Sequence, residues 1–554
     1  MNLRKLSCFI LALAIIFAMG CGKSKTETPE IPDESSPPST VLSPADQTDE
    51  EIIPEPAEAA FFPLADAVTL SYFTSLADAI MPYVDDYNNS LWWWQELNSR
   101  TNVDIEWQVY PSNECATQLM ISVAANDTAD LLNVFTSYSG GLSAALDDGV
   151  IIDLAPYMDT YLSDYKAACE TETVYANSAY SKDGSVPQVC HFYSTDRGPD
   201  RGMMMRGDWL DDLNIDPSDI ITYDDWHDVL TKFKVEKGAS DPCWLSFYGS
   251  PMHSCLAAGY GVAVDCFFFS DPYINRDGTA VYTPLEPEFL DYMNMMQTWY
   301  AEDLLYHDYV SGAIAFNDSE MLTQGKVGAF MQYATNMTNF DDIMSDDGDY
   351  YIVGVSNPRL NAEDELHISP PQAVYESEGL CVSTCCEEPE VAMRWLNYFW
   401  TEEGHEFANY GVEGVSFDRV DGKPTFGEAI INDPNGIGIF RYTFGQKLAV
   451  GIEEFTRTFS TMNEYQLEGL ERWADNAPGD WNWPDSAMLS SEESEKYSAV
   501  WSDIFTLTAE FINKYITGEY GEADYEEFCG RVKEMGIDKC VAIKQGALDR
   551  YLGK

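Results

Sequence analysis

From Val68 onward the chain alternates short apolar runs with helical patterns, and that alternation restricts the fold more than any other feature. VTLSYFTS (68–75), DIEWQVY (104–110) and DLLNVFT (130–136) read as strands, rich in β-branched and aromatic residues. Between them, Leu91 to Thr101, carrying Trp92, Trp93 and Trp94, and Cys115 to Ala125 read as helices, and Gly141 to Asp147 opens another. Regular β-α-β alternation predicts a parallel α/β sheet, because parallel neighbours need a crossover long enough to bring the chain back to the same edge. No GxGxxG or GxxxxGK follows any strand, so nucleotide-binding folds lose their main support.

A second α/β set follows. Asp183-Gly184-Ser185 is a turn before a strand, Met203 to Arg206 leads into a helix near Asp208, and Tyr223 to Lys234 and Glu286 to Ala301 are helical. GKVGAFMQY (325–333) and YYIVGVSNPRL (350–360) read as strands. Glu378 to Pro424 then holds a buried strand (Leu380 to Thr384) and a helix entered through Pro389 at a first-turn position. Ala392, Trp395, Leu396 and Phe399 give that helix one apolar stripe at i, i+3, i+4, i+7. Thr401 caps a shorter helix that stops at Gly411, and Val420 to Lys423 is a tight turn. Asn463 to Trp473, Ser494 to Ile516 and two segments within Tyr525 to Tyr551 complete the helices. A chain of 554 residues exceeds a single core, so at least two lobes are expected.

The amino terminus is an address. Arg4 and Lys5 precede an apolar run from Leu6 to Phe17, and Ala18-Met19-Gly20 precede Cys21. This resembles a bacterial lipoprotein signal over residues 1–20, with a lipid placed on the Cys21 thiol. The apolar run is shorter than the roughly 20 residues that span a bilayer, so the membrane is expected to be reached through the lipid only. Residues 21–60 are dominated by Pro, Glu, Ser and Thr and can build no core, so they read as an acidic, disordered tether.

Ninety-three acidic against 31 basic residues leave a net charge of −62, which repels nucleic acid and anionic lipid. Setting aside Cys8 and Cys21 leaves 11 of the 13 cysteines, an odd number, with no metal-spaced CxxC pair and an adjacent Cys385-Cys386. Disulfides and buried free thiols are both compatible with that count. Six histidines (191, 227, 253, 307, 367, 405) form no HExxH, and no GxSxG elbow occurs.

Several stretches taken in order resemble one family. They are Thr128 to Leu154, Arg206 to Leu213 (RGDWLDDL), Thr222 to Phe233, Leu322 to Ala329, Glu378 to Pro424, and Phe511 to Gly518. Together they resemble bacterial extracellular solute-binding proteins, the lipoprotein receptors of ABC importers, in the sugar-binding family 1 branch. The resemblance implies an α/β, two-lobe, periplasmic-binding-protein-like fold of type II, with a hinge and an interlobe ligand cleft. It places crossings near Met203 to Arg206 and Gly379 to Thr384, with lobe 1 at 61–204 plus 380–440 and lobe 2 at 205–379 plus 441–554. It further implies a monomeric receptor on the outer face of the cell membrane, a carbohydrate ligand, an ABC permease as partner, no cofactor and no catalysis. Glu236 to Cys243, where many relatives carry a calcium loop, lacks alternating oxygen ligands, so no metal is expected. A peptide or other small-solute receptor of the same fold is the first alternative. A secreted glycan-active enzyme is the second, since a glycosidase needs only two carboxylates.

A sugar site needs flat aromatic faces and planar polar groups, gathered at the carboxyl ends of strands. The candidates are Thr74 and Ser75 after the first strand, Ser137 and Tyr138 after 130–136, and Tyr333 and Asn336 after 325–333. Arg206 at the crossing, Trp244 and Tyr248 in lobe 2, Tyr410 at a helix end, and Trp481 and Trp483 in the loop APGDWNWPD complete the set.

Overall fold

The computed structural model describes residues 61–76, 92–133, 138, 141–181, 183–195, 198–245, 250–264, 272–310, 319–338, 340, 350–369, 375–431, 449–484, 487 and 489–554. Cys21, the signal and tether segments, Ser137 and Tyr248 lie outside the described residues.

Thirteen strands are described. They are β1 (Val68–Leu76), β2 (Val103–Pro111), β3 (Leu131–Leu132), β4 (Val189–Tyr193), β5 (Arg201–Arg206), β6 (Tyr273–Arg276) and β7 (Thr279–Tyr282), then β8 (Ala329–Tyr333), β9 (Ile352–Gly354), β10 (Tyr375–Val382), β11 (Phe417–Val420), β12 (Lys423–Phe426) and β13 (Gly451–Glu453). Lobe 1 is built on a six-stranded sheet in the order β13-β4-β10-β3-β1-β2. β1 runs parallel to β2 and β3, and β13 parallel to β4, but β10 lies antiparallel to both β3 and β4. The sheet is therefore mixed and not the parallel one that alternation predicts. β10 enters from the other lobe, so it crosses the sheet in the opposite sense.

Lobe 2 carries an antiparallel sheet, β8-β5-β9, with the separate β6–β7 hairpin beside it. The hydrophobic cores follow this partition. Leu70, Trp93, Phe192, Leu380, Trp395 and Phe399 share the lobe 1 core, and Met204, Trp226, Phe289, Phe330, Trp473 and Phe511 share that of lobe 2.

On the strand assignments above, the chain leaves one lobe for the other after Tyr193, after Gly354 and after Glu453. Met203 to Arg206 is a fully buried part of the lobe 2 sheet, and Gly379 to Val382 belongs to the lobe 1 sheet. The crossings thus precede the strands expected to form them. β13 returns to lobe 1 beyond the boundary expected at 440, because it hydrogen-bonds β4.

Local sequence accounts for many elements. The Pro389–Tyr398 helix begins at Pro389 and buries Ala392, Trp395 and Leu396, with Phe399 just past its end completing the stripe. Thr401 accepts from the Gly404 N–H and caps the Glu402–Tyr410 helix, which ends at Gly411 with φ of +86°. Asp421 (φ +51°) and Gly422 (φ +82°) make the two-residue β11–β12 turn, whose left-handed pair matches the twist of a hairpin. Thr222 and Asp225 form a capping box on the Tyr223–Glu236 helix, as Ser490 and Glu493 do on the Ser491–Ile516 helix. Two expected strands are shorter than their apolar runs. Gly325 turns with φ of +64°, so β8 begins only at Ala329, and β9 retains Ile352 to Gly354 of the run 350–360.

Candidate functional site

Strand direction locates the cleft faces. β4 leaves lobe 1 at Tyr193 for the first crossing, so the carboxyl ends of the strands parallel to it lie on the crossing side. Those ends include Thr74 and Ser75 of β1, which pair in register with Val109 and Tyr110 of β2, and Glu453 of β13. Thr74 is half-buried and Ser75 exposed. In lobe 2 the crossing side is the start of β5, and its antiparallel neighbour β8 ends there, with Arg201 directly opposite Tyr333.

Tyr333 is the anchor of this face. The residue is 40% exposed at the end of a mostly buried strand. Arg201 Nη1 donates to the phenolic oxygen at 2.7 Å, and the guanidinium carbon lies 5.2 Å from the ring centroid. The turn beyond the strand is pinned on both sides. The Ala334 N–H donates to the Asp200 carbonyl at 2.9 Å, and Gln466 Nε2 donates to the Ala334 carbonyl at 2.7 Å. Asn336 closes the Ala334–Asn336 turn and is half-buried beside it. A large aromatic face held out by such a frame is costly to leave in water, and it presents a flat surface without further ordering.

Four expected contacts are buried, three of them with their side-chain polar ends committed to protein partners. Tyr138 is buried against Phe73, Leu119 and Leu132, and its hydroxyl donates to Asp148 at 2.7 Å, a bond that raises the phenol's pKa. Arg206 is buried, forks onto the Asp208 carboxylate, and lies over the rings of Trp209 and Tyr350 at 4.6 and 4.4 Å. Trp244 is buried in the lobe 2 core, with its backbone N–H on the Ala329 carbonyl and its ring 5.9 Å from Tyr306. Tyr410 is buried, and its hydroxyl donates to Glu454 at 2.7 Å; burial first and that bond second push its pKa well above the usual phenol range. Tyr138, Arg206 and Tyr410 have the groups they would offer a ligand bonded to protein partners, and Trp244 has its ring buried in the lobe 2 core.

Trp481 and Trp483 belong to lobe 2. Trp481 stacks on His367 with centroids 4.2 Å apart, and its backbone bonds both His367 and Asn275. Trp483 packs beside Tyr273 at 6.1 Å, with the Lys544 ammonium 5.2 Å from its ring. The loop therefore joins the β6–β7 hairpin to the His367 segment of the second crossing, between β9 and β10. Of Trp92 to Trp94, Trp93 and Trp94 are core, and Trp92 lies next to Gly411.

The third crossing holds a polar cluster that residue patterns did not single out. Asn409 Oδ1 accepts from the Glu454 N–H at 2.9 Å and from Arg457 Nη1 at 3.2 Å, and its Nδ2 donates to the Ile452 carbonyl at 2.9 Å. Arg457 Nη2 is 2.8 Å from Glu453, and His191 Nε2 is 3.7 Å from the same carboxylate. His405 Nε2 is 2.7 Å from Glu454, and that bond, reinforced by Tyr410, holds the Glu454 carboxyl below its ordinary range. The ends of the Glu402–Tyr410 helix and β4 thus fix the start of the crossing, where the Ser194 N–H also donates to the Glu453 carbonyl at 3.0 Å. No spacing rule signals this, since the partners come from three distant segments. Arg201 had one local signal, the turn-forming run Gly198-Pro199-Asp200-Arg201-Gly202 that opens β5.

Two α/β lobes joined by three crossings, with strand ends facing the gap, define a two-lobed, periplasmic-binding-protein-like receptor of type II. The family model for bacterial extracellular solute-binding proteins matches residues 92–410, and the chain belongs to that family. No curated protein sequence matches it. Among solved structures, the alginate-binding protein AlgQ2 without calcium ion superposes with a TM-score of 0.65 at 18% identity, covering 88% of this chain and 98% of that one. An HMO-binding, ABC-transporter-associated solute-binding protein from Bifidobacterium longum infantis gives 0.65 at 16%, covering 88% and 99%. FusA of S. pneumoniae, an ABC-transporter substrate-binding protein solved in complex with kestose, gives 0.66 at 14%, covering 88% and 99%. At these identities the likeness establishes the fold.

Proposed function

We propose that this chain captures a carbohydrate, an oligosaccharide in preference to a monosaccharide, and delivers it to an ABC permease. The observation that carries the reading is Tyr333, an exposed aromatic face held rigidly by Arg201 at the crossing-side end of the lobe 2 sheet. Sugars present an apolar C–H face that stacks on such a ring and hydroxyls that satisfy Asn336, Thr74 and Ser75 around it. The similar proteins, which bind alginate, HMO and kestose, support the same class. A ligand touching Tyr333 from one side and the β1 end from the other makes its full set of contacts only when the lobes close. Binding therefore shifts the population toward the closed form. A lipid on Cys21 and the 21–60 tether would keep the lobes near the membrane yet clear of it; fully extended, some forty residues reach about 120 Å.

The test is thermal stabilisation of the mature chain across a glycan panel and a peptide panel. One glycan class is expected to raise Tm. Tyr333→Ala is expected to weaken that ligand by about 1–3 kcal/mol, the scale of a lost stack and hydrogen bond, without lowering the melting temperature of the free protein. Peptides stabilising the chain where glycans do not would establish the peptide alternative. Release of reducing ends from glycans by the pure protein would establish the enzymatic one.

A further inference from the structure

Among the described residues ten cysteines are not joined in disulfides, and seven of these are buried. Cys385 and Cys386 are not. They are adjacent, both reach the surface, and they form the turn between β10 and the Pro389–Tyr398 helix. Because β10 starts on the crossing side, this turn lies at the far end of the lobe 1 sheet, away from Tyr333.

The two thiols meet opposite surroundings. Thr128 donates to the Cys385 sulfur through both its side chain and its backbone N–H, which favours the thiolate and lowers the pKa. Ser383 Oγ lies 2.6 Å from Thr128 Oγ1 and accepts the Cys385 N–H at 2.9 Å, so the turn is fixed around those donors. Cys386 is half-buried, and burial first and the Asp130 carboxylate second push its thiol up to about 12. Asp130 is itself immobilised by the Ser71 N–H and hydroxyl at 2.7 and 2.6 Å. One sulfur is set among hydrogen-bond donors and its neighbour lies beside a carboxylate.

We propose that Cys385 and Cys386 form a thiol–disulfide exchange site for small, soluble disulfides in the medium. The Cys385 thiolate attacks one sulfur of the disulfide RSSR, forming a mixed disulfide and releasing RS⁻, which takes a proton from water. Cys386, losing its proton to solvent, then attacks the Cys385 sulfur, closing a Cys385–Cys386 bond and releasing the second RSH. Two protein thiols are oxidised and one small disulfide is reduced to two thiols, so no other oxidant enters. Adjacent Cα atoms sit about 3.8 Å apart, closer than the roughly 4.4–6.8 Å that a disulfide prefers. The closed ring is therefore strained, and added thiol reopens it.

The experiment incubates the full chain with oxidised glutathione, quenches with iodoacetamide and maps adducts by mass spectrometry. In Cys386→Ser the glutathione adduct is expected on Cys385 and to persist. In the unmodified sequence it is expected to give way to loss of two hydrogen masses across the peptide holding both cysteines. Thr128→Val should slow the first step several-fold, and Thr128→Ser should restore it, with the melting temperature of each checked. Equal adduct formation at Cys529, an unchanged rate in Thr128→Val, or an adduct equally persistent with Cys386 present would each overturn the proposal.

Discussion

At the scale of single residues, what distinguishes a candidate contact is where its polar end goes. Tyr333 and Tyr410 both follow apolar runs, yet one ring stands in solvent and the other points into Glu454. The difference lies in partners supplied by remote segments, Arg201 for one and the third crossing for the other, so a position at the end of an element alone made both look equivalent. The Glu454 carboxylate also fixes a pH response. Its pKa in the fold lies below the ordinary 4.5, so its stabilising contribution is complete above that value and is lost as pH falls through the lowered one. Glu454→Gln should cost about 1–3 kcal/mol at pH 7, the scale of hydrogen bonds to a charged group. Its stability should then decline less steeply than that of the unmodified protein below about pH 4.5, the ordinary glutamate value. Urea unfolding at pH 7 and across the acid limb measures both; parallel acid limbs would remove Glu454 from the account.

At the scale of elements, caps and glycines were the readable part. The entry at Pro389, the Thr401 cap, the Gly411 stop and the 420–423 turn all rest on local backbone chemistry, which a sequence carries in full. Strand length and direction were not readable, because β10 takes its sense from the route of the chain and not from its residues. Close backbone packing was equally hidden. A Cβ on Gly404 would collide with the Tyr398 carbonyl oxygen, whereas one on the exposed helical Gly530 would meet nothing within 4 Å. The same substitution should therefore act with opposite signs. Gly404→Ala should destabilise by about 3 kcal/mol or more through overpacking, and Gly530→Ala should stabilise by about 0.5–1 kcal/mol through helix propensity. Chemical denaturation of the two variants decides it, and a neutral Gly404→Ala would mean the two helices can part without loss.

At the scale of the molecule, two lobes were legible from length and alternation, and the order of motifs pointed to the family. The lobe boundaries were not, since a crossing segment has no composition of its own. Ligand-driven closure should appear in small-angle scattering as a smaller radius of gyration for the mature chain with its stabilising glycan. Tyr333→Ala, at a glycan concentration that saturates the unmodified protein, should remain extended. An unchanged scattering curve on saturation would mean that binding does not draw the lobes together.

The insertion of β10 between β3 and β4 carries a cost during synthesis. Neither of those strands gains its inner neighbour until the whole of β5 to β9 has been made, and β4 waits longer still for β13. A nascent lobe 1 therefore holds open strand edges for most of the time the chain takes to appear, the condition under which incomplete sheets join one another. A charge of −62 spread along the polypeptide makes two such intermediates repel. On this view the acidity, which says little about the ligand, guards a fold whose central strand arrives late, and refolding yield should fall as salt screens it.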